Sequence, residues 1–221
     1  QQMQSLIDNW TDCQDSRSIF LRCYQLMTHN TIQAIERDEF YDSHWVHQLL
    51  NRFADYYFIA LDAYESDPRT APMVWQLAHD ATRNPKAMAI QSLLLGVNAH
   101  INYDLVLTLV DVLSPEWNAL NDMQREYRHS DHDRVNTIIA ASIDAVQDEI
   151  LEPAMPIMDL IDDVFGGLDE RLISHLIRHW RNDVWKHATQ LLRMESMEYR
   201  AALIAQVEED ALKIGRMIYR G

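Results

Sequence analysis

The sequence predicts an all-α fold: roughly eight or nine helices in a single domain, packed around one central apolar helix. Three observations carry that prediction. Five glycines and six prolines in 221 residues leave little room for the turns of an all-β fold. Met, Leu, Ala, Gln, Glu and Arg, all favourable to helix, are plentiful. Apolar residues recur at three-to-four spacing along most of the chain.

Taken in order, residues 1–15 carry the weakest pattern and are expected to be a loosely ordered N-terminal segment. Asp15 or Ser16 can cap a helix whose apolar positions Ile19, Phe20, Cys23, Met27 and Ile32 run on to about Arg37. Asp42 or Ser43 caps a second, through Trp45, Leu49, Phe53, Tyr57, Ala60 and Tyr64, ended by Ser66-Asp67-Pro68. His44 and His47 fall away from its apolar face. A short helix with Trp75 spans about Pro72 to Ala81. After Asn84-Pro85 the central helix runs from near Lys86 to Leu113. Ser114-Pro115-Glu116 reads as a restart, with proline at the first helical position. Trp117, Leu120, Met123 and Tyr127 belong to that helix, and Ser130 or Asp131 is expected to cap another through Val135, Ile139 and Ile143. Glu152-Pro153 and Pro156 mark a break, and Gly166-Gly167 a helix end. Two last helices are expected over about Asp169–Met194 and Ser196–Tyr219.

Composition excludes several functions. With 34 Asp and Glu against 19 Lys and Arg, the formal net charge is −15. That balance argues against a nucleic-acid or anionic-membrane surface, because phosphate binding needs clustered positive charge. Two cysteines, Cys13 and Cys23, make neither a disulfide framework nor a zinc knuckle, so a reducing, cytoplasmic setting is the expectation. No run reaches about 18 uninterrupted apolar residues, and no membrane span is expected. No Ser-His-Asp order, P-loop or glycine-rich dinucleotide turn is present.

The informative stretch is the central helix. It is apolar on all sides, yet it carries Asn98, His100, Asn102 and Asp104. Buried polar groups without partners are costly, so these four need partners. At 3.6 residues per turn, His100 and Asp104 share one face, and Asn98 and Asn102 share nearly the opposite one. The asparagine pair reads as structural, tying neighbouring helices. An imidazole and a carboxylate one turn apart can supply two ligands to a divalent metal such as Zn, Fe or Mn; they can equally close a polar network.

Two further clusters supply candidate partners. In His129-Ser-Asp-His-Asp-Arg-Val-Asn136, His132 and Asn136 project near an apolar face, with Asp133 flanking it, while Asp131 and Asp133 can complement a helix dipole. His175, His179, Asp183 and His187 follow at intervals of four. The first two histidines drift to solvent, leaving Asp183 with His187 as a second candidate pair. Arg181 can neutralise a buried carboxylate such as Asp104.

Gly96-Val-Asn-Ala-His-Ile-Asn-Tyr-Asp-Leu105 resembles the signature of an uncharacterised bacterial domain-of-unknown-function family. Asp42-Ser-His-Trp-Val, Phe53-Ala-Asp-Tyr-Tyr, Asp133-Arg-Val-Asn136 and Arg181-Asn-Asp-Val-Trp-Lys-His-Ala188 are similar to further blocks of it. The resemblance implies an all-helical single domain and no particular activity. It raises His100, Asn102, Asp104, Asp133, Arg181 and Trp185 above other polar residues. His175, His179, Asp183 and His187 lie outside its pattern.

Two functions are therefore expected. One is a metal-dependent hydrolase of phosphoester type, with His100, Asp104, His132, Asp133, Asp183 and His187 as candidate ligands and Asp104 and Arg181 as candidate catalytic groups. The other is a non-catalytic domain in which His100, Asp104, Arg181 and Asn136 form a polar network beside a small-molecule or partner site.

Overall fold

The computed structural model describes residues 2–154 and 170–220, and these are helical almost throughout. Nine helices occur among the described residues: α1 (Gln2–Asp12), α2 (Arg17–Glu36), α3 (Ser43–Ser66), α4 (Met73–Thr82), α5 (Ala89–Leu113), α6 (Asp122–Ala141), α7 (143–154), α8 (Glu170–Arg193) and α9 (Met197–Arg220). The all-α expectation holds, and the central helix is where its apolar composition places it.

Helix α5 has neighbours on every side: α2, α3 and α4, then α8 and α9. It contributes to all three apolar clusters of the interior, through Ile90 and Leu93, through Leu95 and Ala99, and through Leu105, Val106, Leu109 and Leu113. By length and composition it could cross a bilayer, but 72% of its most apolar window is buried within the protein. Its neighbours therefore fill the role that lipid would otherwise play.

Local signals explain most boundaries. Asp42 caps α3 by accepting from the Trp45 N–H at 2.9 Å. Asp67 ends the helix and accepts from Arg69 N ahead of a 3₁₀ turn over Pro68–Thr70. Gly96 lets α2 press close: a Cβ there would lie 2.5 Å from Phe20 Cγ. Asn98 donates to the Ala211 carbonyl at 2.9 Å and accepts from Asn102, which ties α5 to α9 as the structural reading of that pair expects.

Three expectations change. Residues 2–12 form a helix, not a loose segment, because Ile7 and Trp10 bury one face of it against α2. The chain turns over 114–119, and a single helix then runs from Asp122 to Ala141, opened by a capping box between Asn121 and Gln124. Ser130 and Asp131 are therefore mid-helix and cap nothing. Pro153 does not break the chain at 152. It follows a π-helical turn over Gln147–Leu151, and the Glu149 carbonyl four residues before it accepts from Arg22 Nη2 at 2.7 Å. A partner from α2 thus replaces the hydrogen bond that proline cannot donate. The breaks expected at Pro156 and Gly166-Gly167 lie outside the described residues.

Candidate functional site

The site begins with a departure from regular helix. Across His100–Asp104, α5 widens into a π-helical turn, a feature found often at functional positions. Within it His100 Nδ1 lies 2.9 Å from Asp104 Oδ2, and the Trp75 indole N–H from α4 donates to both carboxyl oxygens at 3.0 and 3.2 Å. His100 and Asp104 are 3% and 1% exposed. The imidazole stacks flat on Phe53 at 3.5 Å and meets Tyr24 edge-on at 4.4 Å.

Burial acts on both members of this pair in the same sense. It pushes the Asp104 carboxyl well above the usual carboxylate range and the His100 ring well below the usual imidazole range. A dyad without net charge is the form that such dry surroundings favour. With its proton on either partner, Nδ1 is engaged with Asp104 and Nε2 carries a hydrogen. That Nε2 is buried and has no hydrogen-bond partner among the described residues.

His100 also lines a cavity of about 180 Å³ between α2, α3, α5, α6, α7 and α8. Its wall is mostly aliphatic and aromatic, including Phe20, Phe53, Leu94, Val97, Ile139 and Ile173. Both π-helical turns among the described residues border it, through His100 and through Gln147 and Leu151. Among the described residues, His100 Nε2 and Arg181 Nε of this wall are buried without a hydrogen-bond partner, while the buried Tyr24 and Thr28 hydroxyls lie close enough to act on one another. Burial pushes the Tyr24 phenol far up, so it stays protonated. His100 Nε2 and Arg181 Nε can each donate a hydrogen bond, and the Tyr24–Thr28 pair has one hydroxyl hydrogen to spare.

Arg181 on α8 is 3% exposed. Its Nη2 donates to the His132 carbonyl at 2.6 Å and approaches His132 Nδ1 at 3.3 Å, while His132 Nε2 meets the Arg181 carbonyl at 3.1 Å. This reciprocal lock joins α6 to α8 and fixes the ring: Nε2–H donates and Nδ1 accepts. Burial and the neighbouring guanidinium push the ring well below its usual range. Arg181 does not neutralise Asp104. It makes no ion pair among the described residues, and burial brings its guanidinium down to about 10.

The six candidate ligands are not gathered into one site. His100 and Asp104 meet; His132 is held by Arg181; Asp133 faces His129 at 3.6 Å and Asn136 at 3.5 Å. Asp183 is taken by Lys186 and His179 near the surface, and His187 is half-buried. Among the described residues no three His, Cys, Asp or Glu side chains converge as a metal would require. His175 and His179 are exposed, as the spacing predicts.

Sequence reasoning missed several participants. Trp75, Tyr24 and Thr28 resemble ordinary core positions, although a tyrosine and a threonine one turn apart on the apolar face of α2 were a legible signal. Asp131 lies mid-helix and is no helix-dipole partner. It is instead 1% exposed and accepts from the Tyr41 and Asp42 N–H groups at 2.7 and 2.9 Å, pinning the α2–α3 connection to α6. The cavity itself has no sequence signature.

Fold and site together define an all-α protein whose central helix carries a buried His–Asp pair at the wall of an apolar cavity. The chain belongs to the family described as "Family of unknown function (DUF5995)", whose model matches residues 1–221. No curated protein and no solved structure matches it.

Proposed function

We propose that this protein binds a small, largely apolar molecule inside the cavity between α2, α3, α5, α6, α7 and α8. One observation carries the reading: about 180 Å³ of apolar space whose wall holds two residues, His100 and Arg181, with buried polar atoms that have no partner among the described residues. Each such atom costs about 1–3 kcal/mol if nothing satisfies it. A guest with an apolar body and one polar end would recover that cost and fill the void together. For scale, an engineered apolar cavity of about 150 Å³ binds benzene. Here one ring, or a short aliphatic chain, would fit with a small substituent.

The His100–Asp104 pair has a definite part in this reading. Trp75 and Asp104 fix the ring, so that Nε2 presents a hydrogen to the guest without cost of reorganisation. The same arrangement could polarise a bound carbonyl, and turnover would then be added to binding. The metal-dependent phosphoester hydrolase needs more ligands than this pair supplies, so it stands behind the binding reading.

Thermal denaturation in the presence of a panel of small aromatic and aliphatic compounds tests the proposal. Saturable stabilisation is expected for some of them, and it should vanish in Leu94→Phe, which fills the cavity while keeping an apolar wall. No stabilisation by any member of the panel would refute the reading. One tightly bound equivalent of zinc, iron or manganese, found by elemental analysis of untagged protein, would replace it with the metal-dependent one.

A further inference from the structure

We infer that the guest is a carboxylic acid, bound as its carboxylate with Arg181 as the counter-ion, on an apolar body of roughly five to seven carbons. This inference rests on the cavity reading and names the chemical class of its ligand. Arg181 carries the argument. A guanidinium taken out of water is held at a cost of several kcal/mol unless a carboxylate or comparable anion sits against it. Arg181 is 3% exposed, makes no ion pair among the described residues, and keeps its Nε buried without a partner. Asp133 is near enough to act on it only through space. A purely structural role explains the bond from Nη2 to the His132 carbonyl. It explains neither the absence of an ion pair at Arg181 among the described residues nor the free Nε.

The rest of the polar wall agrees in kind. His100 Nε2 is the other unpartnered donor among the described cavity-lining residues, and the neighbouring Tyr24 and Thr28 hydroxyls can give one further hydrogen bond between them. Three donors, one of them cationic, suit a group that accepts several hydrogen bonds and carries negative charge. A carboxylate does both, and Arg181 Nε–H, which the His132 lock leaves free, can give it a charge-assisted hydrogen bond. An alcohol or amine head would leave the charge on Arg181 unanswered. The aliphatic and aromatic remainder of the wall suits the body of such an acid, and about 180 Å³ sets its size.

The experiment compares straight-chain acids from hexanoate to decanoate with the matching primary alcohols, by calorimetric titration at neutral pH. Three proteins are used: the unaltered chain, Arg181→Met and Leu94→Phe. The unaltered chain should bind its best acid at least about tenfold tighter than the matching alcohol. Arg181→Met should lose that preference and still take the alcohol, and Leu94→Phe should take neither. Equal or tighter binding of the alcohols by the unaltered chain overturns the carboxylate inference and leaves the cavity reading intact. So does an acid preference that survives in Arg181→Met. If neither series binds the unaltered chain, both readings fall. Should Arg181→Met not fold, carboxyl-labelled octanoate bound to the unaltered chain decides by NMR. A carboxyl that stays ionised below the pH at which the free acid protonates supports the pairing, and one that protonates at higher pH than the free acid refutes it.

Discussion

Mild acid should weaken this fold well before its carboxylates are half protonated. His79, His100 and His132 are 4%, 3% and 0% exposed, and burial holds all three rings neutral; His79 is pushed down to about 3. In the unfolded chain each ring binds a proton near pH 6.5. Below that pH the unfolded state holds more protons than the folded one, so stability falls as pH falls. The slope approaches about 1.4 kcal/mol per pH unit for each ring, or roughly 2 kcal/mol per ring between pH 7 and 5. Asp104 acts in the opposite sense. Its carboxyl is raised well above the usual range in the fold, so it takes up a proton there before the unfolded chain does, and acid returns up to about 3 kcal/mol. Three rings against one carboxyl leave a net loss of about 3 kcal/mol from pH 7 to pH 5. Urea unfolding followed by tryptophan fluorescence at pH 7, 6 and 5 measures it directly. His132→Gln should remove about 2 kcal/mol of the acid-dependent part. A stability that is flat or rises toward pH 5 would show that the rings are not held neutral, and the reasoning about the dyad would go with it.

Other substitutions read other parts of the account. Gly96→Ala would set a Cβ 2.5 Å from Phe20 Cγ, in a ring already packed on Tyr57 and Trp75. Overpacking of about 1–3 kcal/mol should outweigh the roughly 1 kcal/mol that alanine gains over glycine in a helix; a variant more stable than the parent in urea unfolding would contradict this close approach. Asn98→Ala strips the α5–α9 tie and leaves the Asn102 amide and the Ala211 carbonyl short of a partner. A loss of about 1–3 kcal/mol is expected by the same assay, and a loss below about 0.5 would mean that water replaces the side chain. Trp75→Phe keeps the aromatic packing and removes the donor to Asp104, so it should cost about 1–2 kcal/mol. That cost should largely disappear when Asp104 is already Leu, which has no acceptor, as a double-mutant cycle would show.

The parts of this molecule that were legible from sequence are those fixed by local periodicity. The greasy run from Ala89 to Leu113, with His100 and Asp104 on one face and Asn98 and Asn102 on another, needs only 3.6 residues per turn to be placed. Asp42 and Asp67 announced themselves as cap and terminator by their chemistry. Other features depend on what lies across the interior. His132 looked like a ligand because a buried imidazole has several uses; only the position of α8 shows that the Arg181 backbone and side chain hold it. The polar Asp122–Ala141 helix hid its continuity because Ser130 and Asp131 imitate a cap, although Asn121 and Gln124 spelled out the true start. The cavity beside His100 is lined from six helices, an arrangement that no single segment encodes.

The claim on which the rest stands is that the space beside His100 accepts a guest. Methyl-labelled NMR with benzene as the probe tests it most directly, since benzene needs neither the dyad nor Arg181. Saturable shifts confined to wall methyls such as Leu94, Val97, Ile139 and Ile173 are the predicted result. Shifts that never saturate, or that scatter over the surface and leave these four methyls unmoved, would contradict it.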